Sequence, residues 1–237
     1  MGSTGKSISN YEDFSDYVFT PKTAGDYITN VGDIFKENSN IKSWLANLTP
    51  EERAVIKDFV GSEYEDINDA QYRIPWEDMS QEDKNAISRL HNALSKFELN
   101  KPITVNRATS FRIFGASDDY APMTIEDIKA HLSKTGEVVQ NDGFMSFSTR
   151  SDGIPVEGTG LIIHLKIPPS KGAGAYIGNN YGIASESEFL VNTNTVMRFD
   201  KNSLYKDKYD IIHITADWLG RAEAQTISPT YTGKIKK

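Results

Sequence analysis

Two carboxylates one residue apart, Glu186 and Glu188 in the run Tyr181-Gly182-Ile183-Ala184-Ser185-Glu186-Ser187-Glu188-Phe189-Leu190-Val191, are the residues of this chain best suited to do chemistry. On an extended strand side chains alternate between faces, so this spacing predicts both acids on one face, running straight into an apolar segment. Like charges held that close are unfavourable unless a metal, a cationic substrate group or a developing positive charge makes use of them. Two further stretches bear on the choice. Val105-Asn106-Arg107-Ala108 places an arginine inside a strand-like run. Gly143-Phe144-Met145-Ser146-Phe147-Ser148-Thr149 puts Ser146 and Ser148 on one face and Phe147 on the other. Taken singly, each has a bland explanation: acids on the solvated face of an edge strand, a surface cation, polar positions on a half-buried strand.

Composition narrows the partners. The 237 residues carry 26 Lys and Arg against 33 Asp and Glu, a formal net charge of −7. That balance disfavours nonspecific binding to nucleic acid or to an anionic membrane. Cysteine is absent, which removes disulfides, thiolate metal sites and a cysteine nucleophile together. His91, His131, His164 and His213 are scattered, with no HExxH, so they read as surface or satisfied core histidines and no metal is expected. Gly158-Thr159-Gly160 and Gly172-Ala173-Gly174 are too short for a dinucleotide or P-loop fingerprint. No apolar stretch has membrane-spanning length, and Met1 to Lys6 lacks the apolar core of a secretory signal.

The elements that must hold these residues divide into two textures. Thr49-Pro50-Glu51-Glu52 ahead of Ala54, Val55, Phe59 and Val60 predicts a capped helix with one buried face, and Ser80-Gln81-Glu82-Asp83 ahead of Ile87, Leu90, Leu94 and Phe97 predicts another. Thr49 is better explained as this cap than as part of the glycosylation sequon Asn47-Leu48-Thr49. Weaker helical periodicity covers 24–35, 40–48 and 64–72. From Pro102 onward, strands are expected over 103–108, 143–149, 160–167, 187–191, 195–199 and 209–215, with a helix near 124–132. Helices first and strands second predict an α+β fold, and Asn100-Lys101-Pro102 is too short a joint for separate domains. One domain is therefore expected over 16–232, helical over 16–100 and β-rich over 101–232. Residues 1–15 are expected to be a loose tail or cloning remnant, and the end of the chain to be loosely held.

Arginine, then serine on an aromatic-flanked strand, then Glu-x-Glu about forty residues on resembles, in that order, the arginine-serine-glutamate class of bacterial mono-ADP-ribosyltransferase toxins. The enzymatic components of clostridial binary toxins and single-domain exotoxins share the pattern. The resemblance covers Ile103 to Phe199 by motif and the helical region in outline. Gly174-Ala175-Tyr176-Ile177 resembles the strand and turn that lead to the catalytic glutamate in that class. The resemblance implies a helical layer packed on a β-sandwich-like ADP-ribosyltransferase core. It also implies an enzyme that uses NAD as substrate, without metal, and transfers ADP-ribose to a protein arginine with release of nicotinamide. Arg107, Ser146, Glu186 and Glu188 would be catalytic. Arg107, Ala108, Gly143, Phe144, Ser146 and Glu188 would line the dinucleotide, and Tyr181 and Ile183 would belong to the loop that recognises the target.

In this reading Glu188 stands beside the ribose, where carboxylate charge is worth most as positive charge develops on the sugar. Glu186 orients the incoming guanidinium and helps remove its proton. Ser146 hydrogen-bonds Glu188, and Arg107 meets a phosphate. The class also implies a secreted, monomeric protein that acts in the cytosol of a target cell. The chain departs from the family pattern at Phe147, where relatives have threonine, at Asn106, where many have an aromatic, and at Ile183, which makes actin an unsafe target. NAD glycohydrolase activity alone and an inactive NAD-binding module remain alternatives. A glycoside hydrolase fits less well, because its two acids flank the sugar from opposite sides.

Overall fold

A computed structural model describes residues 39–117, 121–150, 160–178, 181 and 187–222. The expected tail, the helix expected over 24–35 and the end of the chain lie outside the described residues. Four helices lead the described chain: α1 (Ser39–Ala46), α2 (Pro50–Asp58), α3 (Tyr64–Arg73) and α4 (Gln81–Ser95). A π-helical turn, Phe59–Glu63, joins α2 to α3. The start of α2 follows from its sequence. The Thr49 hydroxyl accepts from the Glu52 N–H while the Glu52 carboxylate accepts from the Thr49 N–H, which satisfies two of the orphan donors of the first turn. Ser80 caps α4 through its hydroxyl, which accepts from the Asp83 N–H. Buried Trp44 of α1 donates its indole N–H to the Ala93 carbonyl of α4 at 2.8 Å. The helical layer is thereby tied together by a hydrogen bond as well as by apolar contact.

Ten strands follow: β1 (Glu98–Leu99), β2 (Ile103–Thr109), β3 (Val138–Asn141), β4 (Met145–Ser148), β5 (Leu161–Ile167), β6 (Ser170–Lys171), β7 (Gly174–Tyr176), β8 (Glu188–Val191), β9 (Thr195–Lys206) and β10 (Ile212–Arg221). Helix α5 (Ile125–Thr135) lies between β2 and β3, with a capping box at Thr124 and Asp127. β1 and β6 form a small ribbon, and the other eight strands form one mixed ladder in the order β3-β9-β10-β5-β2-β4-β8-β7. The fold is α+β as expected, with the helices ahead of the sheet.

That ladder has a weak point. β2 pairs with β5 over seven residues, whereas it meets β4 through the single register pair Asn106 and Ser148. The eight strands thus behave as a five-stranded half and a three-stranded half joined at one point, in keeping with the sandwich-like core expected from the sequence. The helical layer covers the three-stranded half. Phe97 at the end of α4 makes edge contacts with Trp44 and with Phe189 of β8, and Phe144 meets Phe59, with ring centroids 5.7 to 6.2 Å apart. Edge-to-face rings at this spacing add to the burial of the aromatic area itself.

Several strand bounds differ from those expected, and three of the later starts have a local reason. β4 starts at Met145 rather than Gly143, because the Phe144 N–H donates to the Asn68 side chain of α3 instead of a neighbouring strand. β10 starts at Ile212 rather than Tyr209. The Asp207 carboxylate accepts from the N–H groups of Tyr209 and Ile211, and Asp210 sits at φ 65°, which together make a turn. β8 starts at Glu188, because Ser187 has φ 49°, in the left-handed region. The alternation argument that put Glu186 and Glu188 on one strand face therefore does not carry across Ser187.

Candidate active site

The fork where β2 and β4 part holds Arg107. Its Nη1 donates to the Ser146 carbonyl at 2.8 Å, so the guanidinium spans the opening between the two halves of the sheet. Burial pushes this guanidinium below its ordinary value, while Tyr72 and Glu188 pull it back up. Both groups therefore lie close enough to interact with the cation. The contact with Ser146 runs through its backbone, and its side chain is exposed.

Glu188 opens β8 and is 6% exposed, low for a carboxylate. The register sets Ser148 directly across from it, with Asn106 across from Ser148, so three polar side chains form one row over β2, β4 and β8. Ser146 stands opposite Leu190, one diagonal step from Glu188. Directly opposed pairs lie closest in an antiparallel ladder, so the geometry favours Ser148 over Ser146 as the nearer neighbour of the carboxylate.

The entry to β8 is held tightly. The Ser187 carbonyl accepts from both the N–H and the hydroxyl of Thr149 at 2.9 Å. The Glu188 carbonyl accepts from the N–H groups of Ile177 and Gly178 at 2.9 and 3.2 Å. A Cβ on Gly178 would lie 2.6 Å from the Glu188 nitrogen, so only glycine permits this approach. A left-handed, non-glycine Ser187 costs about 1–2 kcal/mol. Backbone strain of this kind collects where surrounding contacts over-determine a functional group.

The remaining expected residues divide. Gly143 lies against Tyr72, whose hydroxyl would be 2.3 Å from an added Cβ, so this glycine admits the tyrosine to the site. Phe144 is 1% exposed, and its ring packs edge-on against Phe59. Ala108 follows Arg107 on β2 and is half-buried. Tyr181 is half-buried and packs against the core, its N–H donating to the Ile177 carbonyl. Glu186 and Ile183 lie outside the described residues. Among the described residues, no group of three His, Asp or Glu side chains could hold a metal ion.

Tyr72 is a neighbour of Arg107 at the candidate site that the motifs of the sequence do not single out. The apolar periodicity of α3 masks a second, polar stripe on the same helix, Asn68, Gln71 and Tyr72 at i, i+3 and i+4. Asn68 accepts from the Phe144 N–H, Gln71 donates to the Asp142 carbonyl and to the Thr193 hydroxyl, and Tyr72 donates to the Asn141 side chain. One helix face thus clamps the segment that leads into β4 and brings a phenol to the fork.

Residues 37–220 match the family model described as ADP-ribosyltransferase exoenzyme. A curated relative, the NAD(+)--arginine ADP-ribosyltransferase EFV of Enterococcus faecalis, is 29% identical over 156 residues, covering 64% of this chain and 29% of its own length. The chain therefore spans under a third of that relative. Among solved structures, Plx2a, an ADP-ribosyltransferase toxin from Paenibacillus larvae, superposes with a TM-score of 0.68 at 21% identity, over 81% of this chain and 97% of its own. The ADP-ribosylating toxin BECa of a binary enterotoxin of C. perfringens gives 0.65 at 24% identity, over 81% and 49%. An exoenzyme of Clostridium limosum gives 0.65 at 14% identity, over 81% and 96%. Identities this low establish the shared fold alone, whereas the family match spans most of the chain. The chain belongs to the ADP-ribosyltransferase exoenzyme family.

Proposed function

We propose that the protein transfers ADP-ribose from NAD to an arginine of a target protein, releasing nicotinamide. The observation that carries this reading is the pairing of a buried carboxylate, Glu188, with a cation held at the sheet fork, Arg107, each within electrostatic reach of the other. Breaking the bond between nicotinamide and the ribose C1′ sends the electron pair out with nicotinamide and leaves oxocarbenium character on the sugar. A preorganised carboxylate beside that carbon stabilises the transition state more than the ground state. Burial strengthens the effect, because less water competes for the charge. Arg107 offers a permanently charged fork to a phosphate of the dinucleotide. Ser146 and Ser148 flank the carboxylate from β4, and the strained entry at Ser187 fixes where it points.

Glu186 is assigned to the acceptor: it receives the proton that the attacking guanidinium nitrogen loses as the new bond to C1′ forms. Tyr181 and Ile183, in the loop ahead of the acids, are assigned to contact with the target. Arginine as the acceptor is supported by the activity named for the E. faecalis relative. We take the protein to act as a monomeric secreted toxin inside a target cell; among the described residues no helix is long and apolar enough to cross a membrane.

Incubation of the purified protein with NAD labelled on its adenylate, together with a cell lysate, tests the assignment. Label on protein arginine, identified by mass spectrometry, is the expected result, and Glu186→Gln is expected to lose transfer while retaining nicotinamide release. Release without transfer under all conditions would make the protein a glycohydrolase. Tight NAD binding by calorimetry with no release would make it a binding module.

A further inference from the structure

Asn106, His164, His213 and Asp207 have no part in the chemistry above, yet they form one hydrogen-bonded line across the five-stranded half of the sheet. The first three are buried, with exposures of 2, 7 and 9%. At the inner end, the Asn106 Nδ2 donates to the Arg150 carbonyl at 2.7 Å, and the N–H of that same Arg150 donates to the Ser148 hydroxyl at 3.1 Å. Moving outward, the Asn106 Oδ1 lies 2.6 Å from the His164 Nδ1, and the His164 Nε2 lies 2.9 Å from the His213 Nδ1. The His213 Nε2 lies 3.3 Å from the Asp207 Oδ2, in the turn between β9 and β10. Tyr205 of β9 stacks on the His213 ring, with centroids 4.5 Å apart and the planes 10° from parallel.

These contacts constrain the protons. A carbonyl only accepts, so the Asn106 amide nitrogen faces Arg150 and its oxygen faces His164, whose Nδ1 must then carry a hydrogen. A neutral His164 accepts at Nε2, so the His213 Nδ1 donates to it. The Asp207 carboxylate only accepts, so the His213 Nε2 donates as well. Two arrangements satisfy every contact, with the extra proton of the pair on His164 or on His213, and only the second leaves His164 neutral. Burial, then the charges of His213 and Lys166, push His164 down to about 4, in keeping with its neutral place in the line. The titratable groups facing His213 are Asp207 from the turn, His164 from β5 and Tyr205 from β9, while Lys166 of β5 acts on His164.

We infer that this line is a positioning relay: it holds the Arg150 carbonyl and, through the Arg150 N–H, the Ser148 hydroxyl that stands opposite Glu188. The two ends are linked by strand register as well, because Asn106 is itself the residue of β2 that pairs with Ser148. A change at the surface turn is therefore transmitted to the register pair that joins the two halves of the sheet. The effect on turnover rests on the function proposed above, but the geometry and the proton arrangement do not.

The test uses the full chain and two variants. Asp207→Asn removes the charged acceptor at the outer end of the line, and His213→Phe keeps a ring against Tyr205 while deleting both ring nitrogens. Ring 15N spectra of the parent near pH 7 are expected to show His164 protonated at Nδ1 alone and His213 at both nitrogens. The opposite tautomer at His164, or a neutral His213, overturns the relay. Hydrogen exchange at the Arg150 amide is expected to quicken about tenfold or more in His213→Phe, the signature of a local opening made more accessible; unchanged exchange there overturns it too. Nicotinamide release by Asp207→Asn is expected to show a lowered kcat with KM for NAD unchanged, because the line positions Ser148 without touching the dinucleotide. A lowered Tm with kcat unchanged would mean that the line only stabilises the fold. If the parent releases no nicotinamide at all, the proposed function fails, and the ring spectra and the Arg150 exchange still decide the relay.

Discussion

The two halves of the sheet are built on opposite plans. In the five-stranded half, β9 and β10 run for 12 and 10 residues and β2 and β5 for 7 each. Apolar side chains such as Val105, Ile163, Leu165, Ile214 and Ala216 fill its core. In the three-stranded half, no strand exceeds 4 residues. That half carries the buried acid, the left-handed Ser187 and the glycines that let backbones touch. Length gives the first half its stability through many ladder bonds. The second half reaches its precision differently, through close contacts that admit one geometry, and it depends on the helical layer for its cover. Arg107 comes from the first half and Glu188 from the second, so the proposed site depends on how well the joint at Asn106 and Ser148 is held.

The largest effect is expected from removing charge in the short half alone. Glu188→Gln keeps the shape of the side chain and deletes its negative charge, and should lower kcat for nicotinamide release by about 100-fold or more, the scale of losing one preorganised electrostatic contact. KM for NAD and the melting temperature should change little. A variant that keeps even a tenth of parental kcat would remove Glu188 from the place assigned to it.

Acid should strain the two halves through different histidines. His164 lies in the long half and His91 at the joint of α4 with β10, where the Arg221 Nη2 meets its ring at 2.9 Å. Burial lowers both, to about 4, with the Arg221 charge contributing at His91. The unfolded chain therefore takes up protons first as pH falls. Stability from these groups is fully present above the unfolded value near 6.5 and is lost as pH drops toward 4. Each contributes at most on the order of 3 kcal/mol. Urea midpoints measured across pH 7 to 4 should fall in the parent and fall less in His91→Gln. An equal slope in both would show that the buried place of His91 beside Arg221 does not discriminate against the charged ring.

Much of this comparison was legible in the sequence, and the missing parts share a cause. Helix starts depend on contacts three residues apart, so Thr49 with Glu52 and Ser80 with Asp83 announced α2 and α4. The order of Arg107, the two serines and the acids was visible because each lies on a short run of its own. β3, the four residues Val138-Val139-Gln140-Asn141 against β9, was too short to leave a period and was not expected. The polar second half of β9, Asp200 to Lys206, owes its extension to pairing with β10 rather than to its own alternation. His164 and His213 lie 49 residues apart and read as scattered, and only the parallel pairing of β5 with β10 brings their rings together. The shared face expected for Glu186 and Glu188 relied on unbroken extension, and nothing in the identity of Ser187 announces a positive φ.

Close packing at the short half can be probed by one methyl group. Gly178→Ala would drive a Cβ against the Glu188 nitrogen, a backbone atom that cannot swing away. Overpacking of this sort costs about 1–3 kcal/mol, and the loss should appear in the urea midpoint together with reduced nicotinamide release, because the displaced atom belongs to the site itself. An alanine here that leaves both unchanged would mean that β8 tolerates movement and that the short half is not fixed by contact.

The mildest change sharpens the same point from the other side. Ser187→Gly relieves the left-handed strain, worth about 1–2 kcal/mol per residue, but gives the unfolded chain back the freedom that glycine brings, worth up to about 1 kcal/mol. The net effect on stability should be a gain of no more than about 1 kcal/mol. If the strained serine serves to aim Glu188, kcat should fall by a small factor while the urea midpoint holds or rises, a split that simple destabilisation cannot produce. A fall in both together would place Ser187 among the contacts that merely hold β8 in the fold.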